Sequence, residues 1–192
     1  MTNLITLDTY KEAKAIVKND YNNRLDLLIS SVSQLVKTYC GTSFVDYVET
    51  DKIEPITINT KYTNAILLDE SPIISITSIE ERSSETDPYV ILTHEEDYSL
   101  DSSSDMIYRL GAYWPNGINS VRVNYKAGYT EVPGDLQLAV IDIVTYYFKE
   151  EHKKQQSIGQ NVKQNQGTSS RSVSVDFPDH IKRVLNLYRQ IV

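Results

Sequence analysis

The sequence predicts an α+β protein, a bundle of about four helices with a small antiparallel β unit inserted into it. Three observations point there. Apolar residues step by threes and fours towards both ends of the chain, which is the period of a helix with one buried face. Between Phe44 and Tyr129 they alternate instead, which is the period of a strand. Turn-forming pairs such as Ser71-Pro72, Asp87-Pro88 and Asn116-Gly117 divide that middle stretch. The expected organisation is a discontinuous helical core of residues 1–44 and 130–192, with a polar loop at 153–172, around a β-rich insertion at 45–129.

The first helix is expected from Leu7 to Lys18, capped by Thr6 or through a Thr9–Glu12 capping box, with Leu7, Tyr10, Ala13 and Val17 as a weak apolar stripe. The second runs from Asn22 to Tyr39. Leu25, Leu28, Ile29, Val32, Leu35, Val36 and Tyr39 form its stripe, Ser33 and Lys37 fall off it, and Gly41 suits a left-handed cap. Strands are expected at 56–59, 66–68, 73–79, 89–92 and 121–125, within a unit of roughly five to seven short strands. Pro133 should open the third helix, which runs to Glu151 and is apolar nearly all round, so that part of its burial falls to a neighbouring subunit. Residues 153–172 are rich in Gln, Asn and Ser and cannot bury enough surface to order themselves. Val173 and Val175 alternate with Ser172 and Ser174, which suits either a strand paired with a neighbour or a plain linker. Pro178 opens a fourth helix with Ile181, Val184, Leu185, Tyr188 and Ile191 on one side.

Composition narrows the function. The chain has 192 residues, of which 40% are apolar, enough for a real core. Its net charge of −7 argues against a general nucleic-acid binder but not against a protein that DNA slides past. Tyrosine is abundant, 14 against 3 Phe, which fits subunit interfaces and strand surfaces equally well. With Cys40 as the single cysteine, no internal disulfide and no cysteine-based metal site can form, and a reducing cytosol is the expected place of synthesis. No apolar run approaches the roughly 20 residues of a membrane span, and Met1 to Leu7 lacks the pattern of a signal peptide.

The search for chemistry is negative. His94, His152 and His180 lie far apart and suit surface positions. Asp101, Ser103 and Asp105 imitate the start of a calcium loop, but Met106 and Ala112 stand where the turn glycine and the bidentate glutamate belong. Glu95, Glu96 and Asp97 read as a solvated tip. No nucleophile elbow, phosphate-binding glycine loop or dinucleotide fingerprint occurs. The sequence therefore predicts no catalytic residue, no metal ligand and no cofactor.

One stretch is more specific. Val121 to Tyr129 ends in Tyr125-x-Ala127-Gly128-Tyr129, and Pro133, Asp135 and Leu136 follow as a helix start. Gly128 permits a turn off the strand, and Asp135 places a negative charge in the first helical turn. This order of motifs resembles the head–tail connector, or adaptor, family of tailed bacteriophages. The opening helices ending in Tyr39-Cys40-Gly41-Thr42-Ser43-Phe44, the phrase Ser71-Pro72-Ile73-Ile74-Ser75-Ile76 and Trp114-Pro115 are similar to that family too, so the resemblance spans most of residues 4–150.

The resemblance implies a structural subunit of the virion neck, made in the host cytoplasm. Its partners would be the portal protein, the next neck or tail protein, and further copies in a dodecameric ring. DNA would pass through the lumen without specific binding, and neither catalysis nor a membrane would be involved. Ile181, Val184, Leu185 and Tyr188 are the expected contact to the portal or an adjacent subunit. Tyr113, Trp114 and Pro115 suit a hairpin tip that touches a neck or tail partner, or ordinary core filling. Glu95, Glu96 and Asp97 are candidates for an acidic lumen, with Lys153 and Lys154 elsewhere. The competing reading is an adhesion module for virion or host surfaces, for which a dominant β-sandwich would be expected.

Overall fold

The computed structural model describes residues 2–101, 103–149 and 177–189. Among these, the chain forms four helices, α1 (Leu7–Ala13), α2 (Asn22–Cys40), α3 (Gly134–Phe148) and α4 (Asp179–Leu187). It also forms seven strands, β1 (Lys52–Ile58), β2 (Ala65–Leu67), β3 (Ile73–Glu81), β4 (Val90–Ile91), β5 (Tyr98–Asp101), β6 (Met106–Arg109) and β7 (Gly117–Ala127). Two compact units result, a helical one and a β-rich one, with boundaries at Gly41/Thr42 and Glu131/Val132.

The expected helix bundle with a small insertion is overturned. The protein remains mixed α+β, but its strands build two antiparallel sheets, ordered β1-β7-β3-β4 and β2-β6-β5. Both sheets contribute to one core, in which Ile58, Ile79, Val121, Val123 and Tyr125 meet Ile66, Tyr98 and Ile107. Arg109 of β6 ties the sheets together through two hydrogen bonds to the Glu81 carboxylate of β3, at 3.1 and 3.0 Å. The physical reason for the misjudgement is length. The long helices carry a strong period, whereas β5 and β6 span four residues each and show almost none.

In the helical unit, Thr6 caps α1 by accepting a hydrogen bond from the Thr9 N–H at 3.1 Å. The helix stops at Ala13, short of Lys18, because Ala15 turns left-handed at φ +51° and the Ile16 N–H reaches back to the Lys11 carbonyl. Val17 is thereby left outside any helix and 91% exposed. Along α2 the residues Leu25, Ile29, Val32, Val36 and Cys40 are buried, and Gly41 supplies the left-handed cap at φ +76°. Ser33 and Lys37 are buried as well, although they lie off the stripe. The segment before α1 covers them: Ser33 Oγ accepts from the Leu4 N–H, and Lys37 Nζ donates to the Thr2 carbonyl.

Helix α3 begins at Gly134 with Pro133 as its cap, and buries Leu136, Ala139, Val140, Ile141, Ile143 and Val144. It packs on both α2 and α4. The ion pair Lys14–Asp142 and the hydrogen bond between Tyr10 and Thr145 tie its outer turns to the first helix and its cap. The expectations for residues 153–175, including Lys153, Lys154, Val173 and Val175, and for His152 and Ile191 lie outside the described residues.

Ala15 gives a direct test of the α1 terminus. A β-carbon in the left-handed region costs about 1–2 kcal/mol, part of which glycine loses again through the greater freedom of its unfolded chain. Ala15→Gly should therefore raise stability by roughly 0.5–1 kcal/mol in denaturant unfolding, and a loss of stability would show that the turn is not left-handed.

Candidate functional site

The motif residues Tyr125 to Tyr129 end β7, the strand that pairs with β1 on one side and β3 on the other. Their neighbours explain the motif. Tyr125 is fully buried, and its hydroxyl donates to the Glu54 carboxylate of β1 at 2.5 Å while accepting from the Glu70 N–H at 3.2 Å. Glu54 also accepts from the Asp69 N–H and pairs with Lys52 at 3.3 Å. Glu70 accepts from the Thr42 hydroxyl at 2.8 Å and from the Ser43 N–H at 3.0 Å. Two buried carboxylates are thus each served by several donors, which is what makes their burial tolerable. Burial, and next the Glu54 carboxylate, push the Tyr125 hydroxyl well above the ordinary tyrosine range. Lys52 is held above its ordinary range although partial burial opposes its charge, because Glu54 and Asp69 outweigh that cost.

Gly128 sits at φ +110°, and a β-carbon there would stand 2.2 Å from the Phe44 carbonyl oxygen. The close approach lets the Tyr129 N–H bond that same carbonyl at 2.7 Å and the Ala127 N–H bond the Tyr47 carbonyl at 3.1 Å. The incoming chain at 42–47 and the outgoing chain at 127–129 are therefore zipped together. Further on, Pro133 starts α3, Leu136 is fully buried, and the Asp135 carboxylate accepts from the Leu136 N–H and from the Tyr188 hydroxyl at 2.6 Å. All seven motif residues thus have structural work.

The proposed contact helix needs dividing. Ile181 and Leu185 are 2% and 0% exposed, packed in the helical unit's own core, so they are not available to a partner. Val184 and Tyr188 are half-buried, while Leu187, which the stripe did not include, is 76% exposed. The aromatic trio also splits. Trp114 is buried in the β-rich core, not at a tip, and its backbone N–H donates to the Thr63 carbonyl. Tyr113 is 55% exposed and stacks edge-on against Tyr62, and Pro115 is half-buried with its carbonyl bonded by Ser120. Asn116-Gly117 forms no hairpin turn there, because residues 110–116 carry the chain from one sheet to the other.

The acidic tip is partly structural. Asp97 accepts from the Thr93 N–H and pairs with Arg109, while Glu95 and Glu96 stay exposed. The calcium-like stretch is a turn between β5 and β6, locked by the Asp101 carboxylate, which accepts from the Ser103 N–H and from the hydroxyls of Ser103 and Ser104. Those bonds, the side-chain ones foremost, hold Asp101 below the usual carboxylate range. Burial pushes the Cys40 thiol up to about 11, with Arg189 opposing weakly. Sequence reasoning missed Glu54 and Glu70. Glu54 could have been found, since it falls in phase with the inward Ile58 of the same strand.

The profile of the head completion protein family matches residues 3–191, almost the whole chain. This chain belongs to the head completion protein family. The head completion protein of Escherichia phage T5 is 23% identical over 189 residues, covering 98% of this chain and 99% of that one. The fold is shared with solved particles. A chain in the neck of an empty gene transfer agent (GTA) particle, computed with C6 symmetry, superposes with a TM-score of 0.60 at 12% identity, covering 98% of this chain and 91% of that chain. A chain in the neck of a native GTA particle computed with C12 symmetry gives 0.54 at 13% identity, covering 100% and 95%. In this head completion family member the motif that suggested the kinship is a folding element.

Two outcomes follow. Tyr125→Phe should cost about 1–3 kcal/mol in denaturant unfolding, since it removes one donor from buried Glu54 and the acceptor of the Glu70 N–H; an unchanged midpoint would show that the network carries no stability. Cys40 in the native protein should react slowly with thiol reagents at pH 8 and rapidly once unfolded, and fast labelling of native protein would contradict its burial.

Proposed function

We propose that this chain forms a ring in the neck that docks on the portal vertex and receives the next neck or tail protein. The broader role comes with the family: as a head completion protein, the chain is a structural component of the virion neck, between head and tail. The observation that carries the ring is likeness over essentially the whole chain to neck chains of particles with six- and twelvefold symmetry. The match runs through both the helical and the β-rich units. It thereby favours the neck over an adhesion module that would use the sheets alone. The role requires no catalytic step.

Portal docking by α4 is narrowed by its burial pattern to the outward residues, Val184 and Leu187. DNA crosses the lumen without specific binding, since a lining of basic groups would hold phosphates by counterion release; the chain's −7 charge supports an acidic or neutral lining, for which Glu95 and Glu96 remain the candidates.

The test is co-sedimentation with purified portal. Leu187→Asp, alone or with Val184→Asp, should leave the melting temperature within a few degrees while portal binding falls at least about tenfold, the equivalent of ~1.4 kcal/mol. Undiminished binding by both folded variants would remove α4 from the contact. Absence of portal binding by the unaltered chain would remove portal docking itself.

A further inference from the structure

We infer that neighbouring copies of this chain meet through their β-rich units, the β4 edge of one copy lying against the β2 edge of the next. This rests on the ring reading and names a surface that would build the ring.

The strand orders set the geometry. β1 and β2 each end a sheet and lie near each other, since Glu54 and Lys52 of β1 bond Asp69 just after β2, and β4 and β5 end the same sheets at their other edges, joined by the short turn in which the Asp97 N–H bonds the Thr93 carbonyl. The unit thus has two lateral ends, each with an uncovered strand edge. Such edges offer unpaired backbone groups, which proteins cover or use.

The two ends differ in chemistry. At the β4 end, Val90 and Ile91 are 60% and 69% exposed, on a two-residue strand paired with β3 through Glu80 and Glu81. The loop leading into it carries exposed Glu85 and Asp87. At the β2 end, Tyr62 and Tyr113 stack on each other while 76% and 55% exposed, and Leu67 is 58% exposed. Tyr62 holds its place at φ +67°, a strained conformation for a bulky residue. The segments around Tyr62 and Tyr113, residues 55–68 and 110–121, contain no carboxylate and one charge, exposed Lys61, and the carboxylates that flank them, Glu54 and Asp69, are both paired with Lys52.

Lys61, Glu85 and Asp87 make no ion pair among the described residues. One end is therefore apolar with unpaired carboxylates, and the other is aromatic, its flanking carboxylates already paired with Lys52, with an unpaired ammonium at Lys61. Aromatic residues enriched and charges depleted mark the centre of protein interfaces, and complementary charges at the rim set their register. A second copy supplies the matching end. Two different patches at opposite ends of one unit make a heterologous contact, the kind that closes into a ring when the rotation between copies allows it.

The experiment is disulfide trapping in assembled particles carrying Tyr62→Cys and Ile91→Cys in the same chain. The buried Cys40 does not compete. Mild oxidation should give a ladder of covalent multimers on denaturing gels, absent from either single variant. Should the double variant not assemble, Leu67→Cys with Val90→Cys gives the same readout. Particles that hold many copies per neck but yield only monomers overturn this interface and leave the ring intact. Particles with one copy per neck overturn the ring and the interface together.

Discussion

The β-rich unit depends on one buried hydroxyl. Tyr125 stands on the central strand β7 and joins the carboxylate of Glu54, on an edge strand, to the backbone at Glu70, whose own carboxylate holds Thr42 and Ser43. Apolar packing between two sheets fixes neither their register nor where the chain enters them. Directional hydrogen bonds among buried groups do, because a misplaced partner leaves a desolvated carboxylate without donors. Three residues later Gly128 takes up the constraint: its missing side chain lets the strand leave beside the segment by which it entered. Segments distant in sequence are thus locked at one place.

The helical unit solves a different problem. Helix α2 buries residues on its expected stripe and also at Ser33 and Lys37, and it manages the polar ones by giving each a backbone partner in the segment before α1. Helix α4 faces the same core with Ile181 and Leu185, while Phe177 just before it stacks on Tyr39, and the Cys40 thiol lies against the Leu185 carbonyl. What is left for partners is the remainder: isolated apolar side chains such as Leu27, Leu138 and Leu187 on the helices, and the sheet edges of the other unit. For a protein whose task is to be held between others, these remainders matter more than any pocket.

The sequence made α2 and α3 legible because their 19 and 15 residues repeat a pattern several times. Thr6, Gly41 and Pro133 marked three ends correctly in physical terms, by side-chain acceptor, left-handed backbone and preset φ. It hid β5 and β6, since strands of four residues beside a polar turn carry almost no alternation. For Trp114 it left a hairpin tip and core filling open, and the second holds: Asn116-Gly117 is a common turn pair, yet here the chain crosses between sheets and the indole fills the core. Family kinship was readable from the β7–α3 stretch, whose glycine and tyrosine answer to constraints of close approach and buried polarity. The carboxylates that give Tyr125 its purpose were not, because burial of Glu54 and Glu70 depends on segments far away in the chain.

We propose that this neck component is present as a ring between head and tail. Imaging of purified particles with a density label fused to the chain tests it most directly. The account predicts labels clustered at the head–tail junction in a symmetric ring of several copies; label at the tail tip, on the capsid faces, or as a single density at the junction would contradict it.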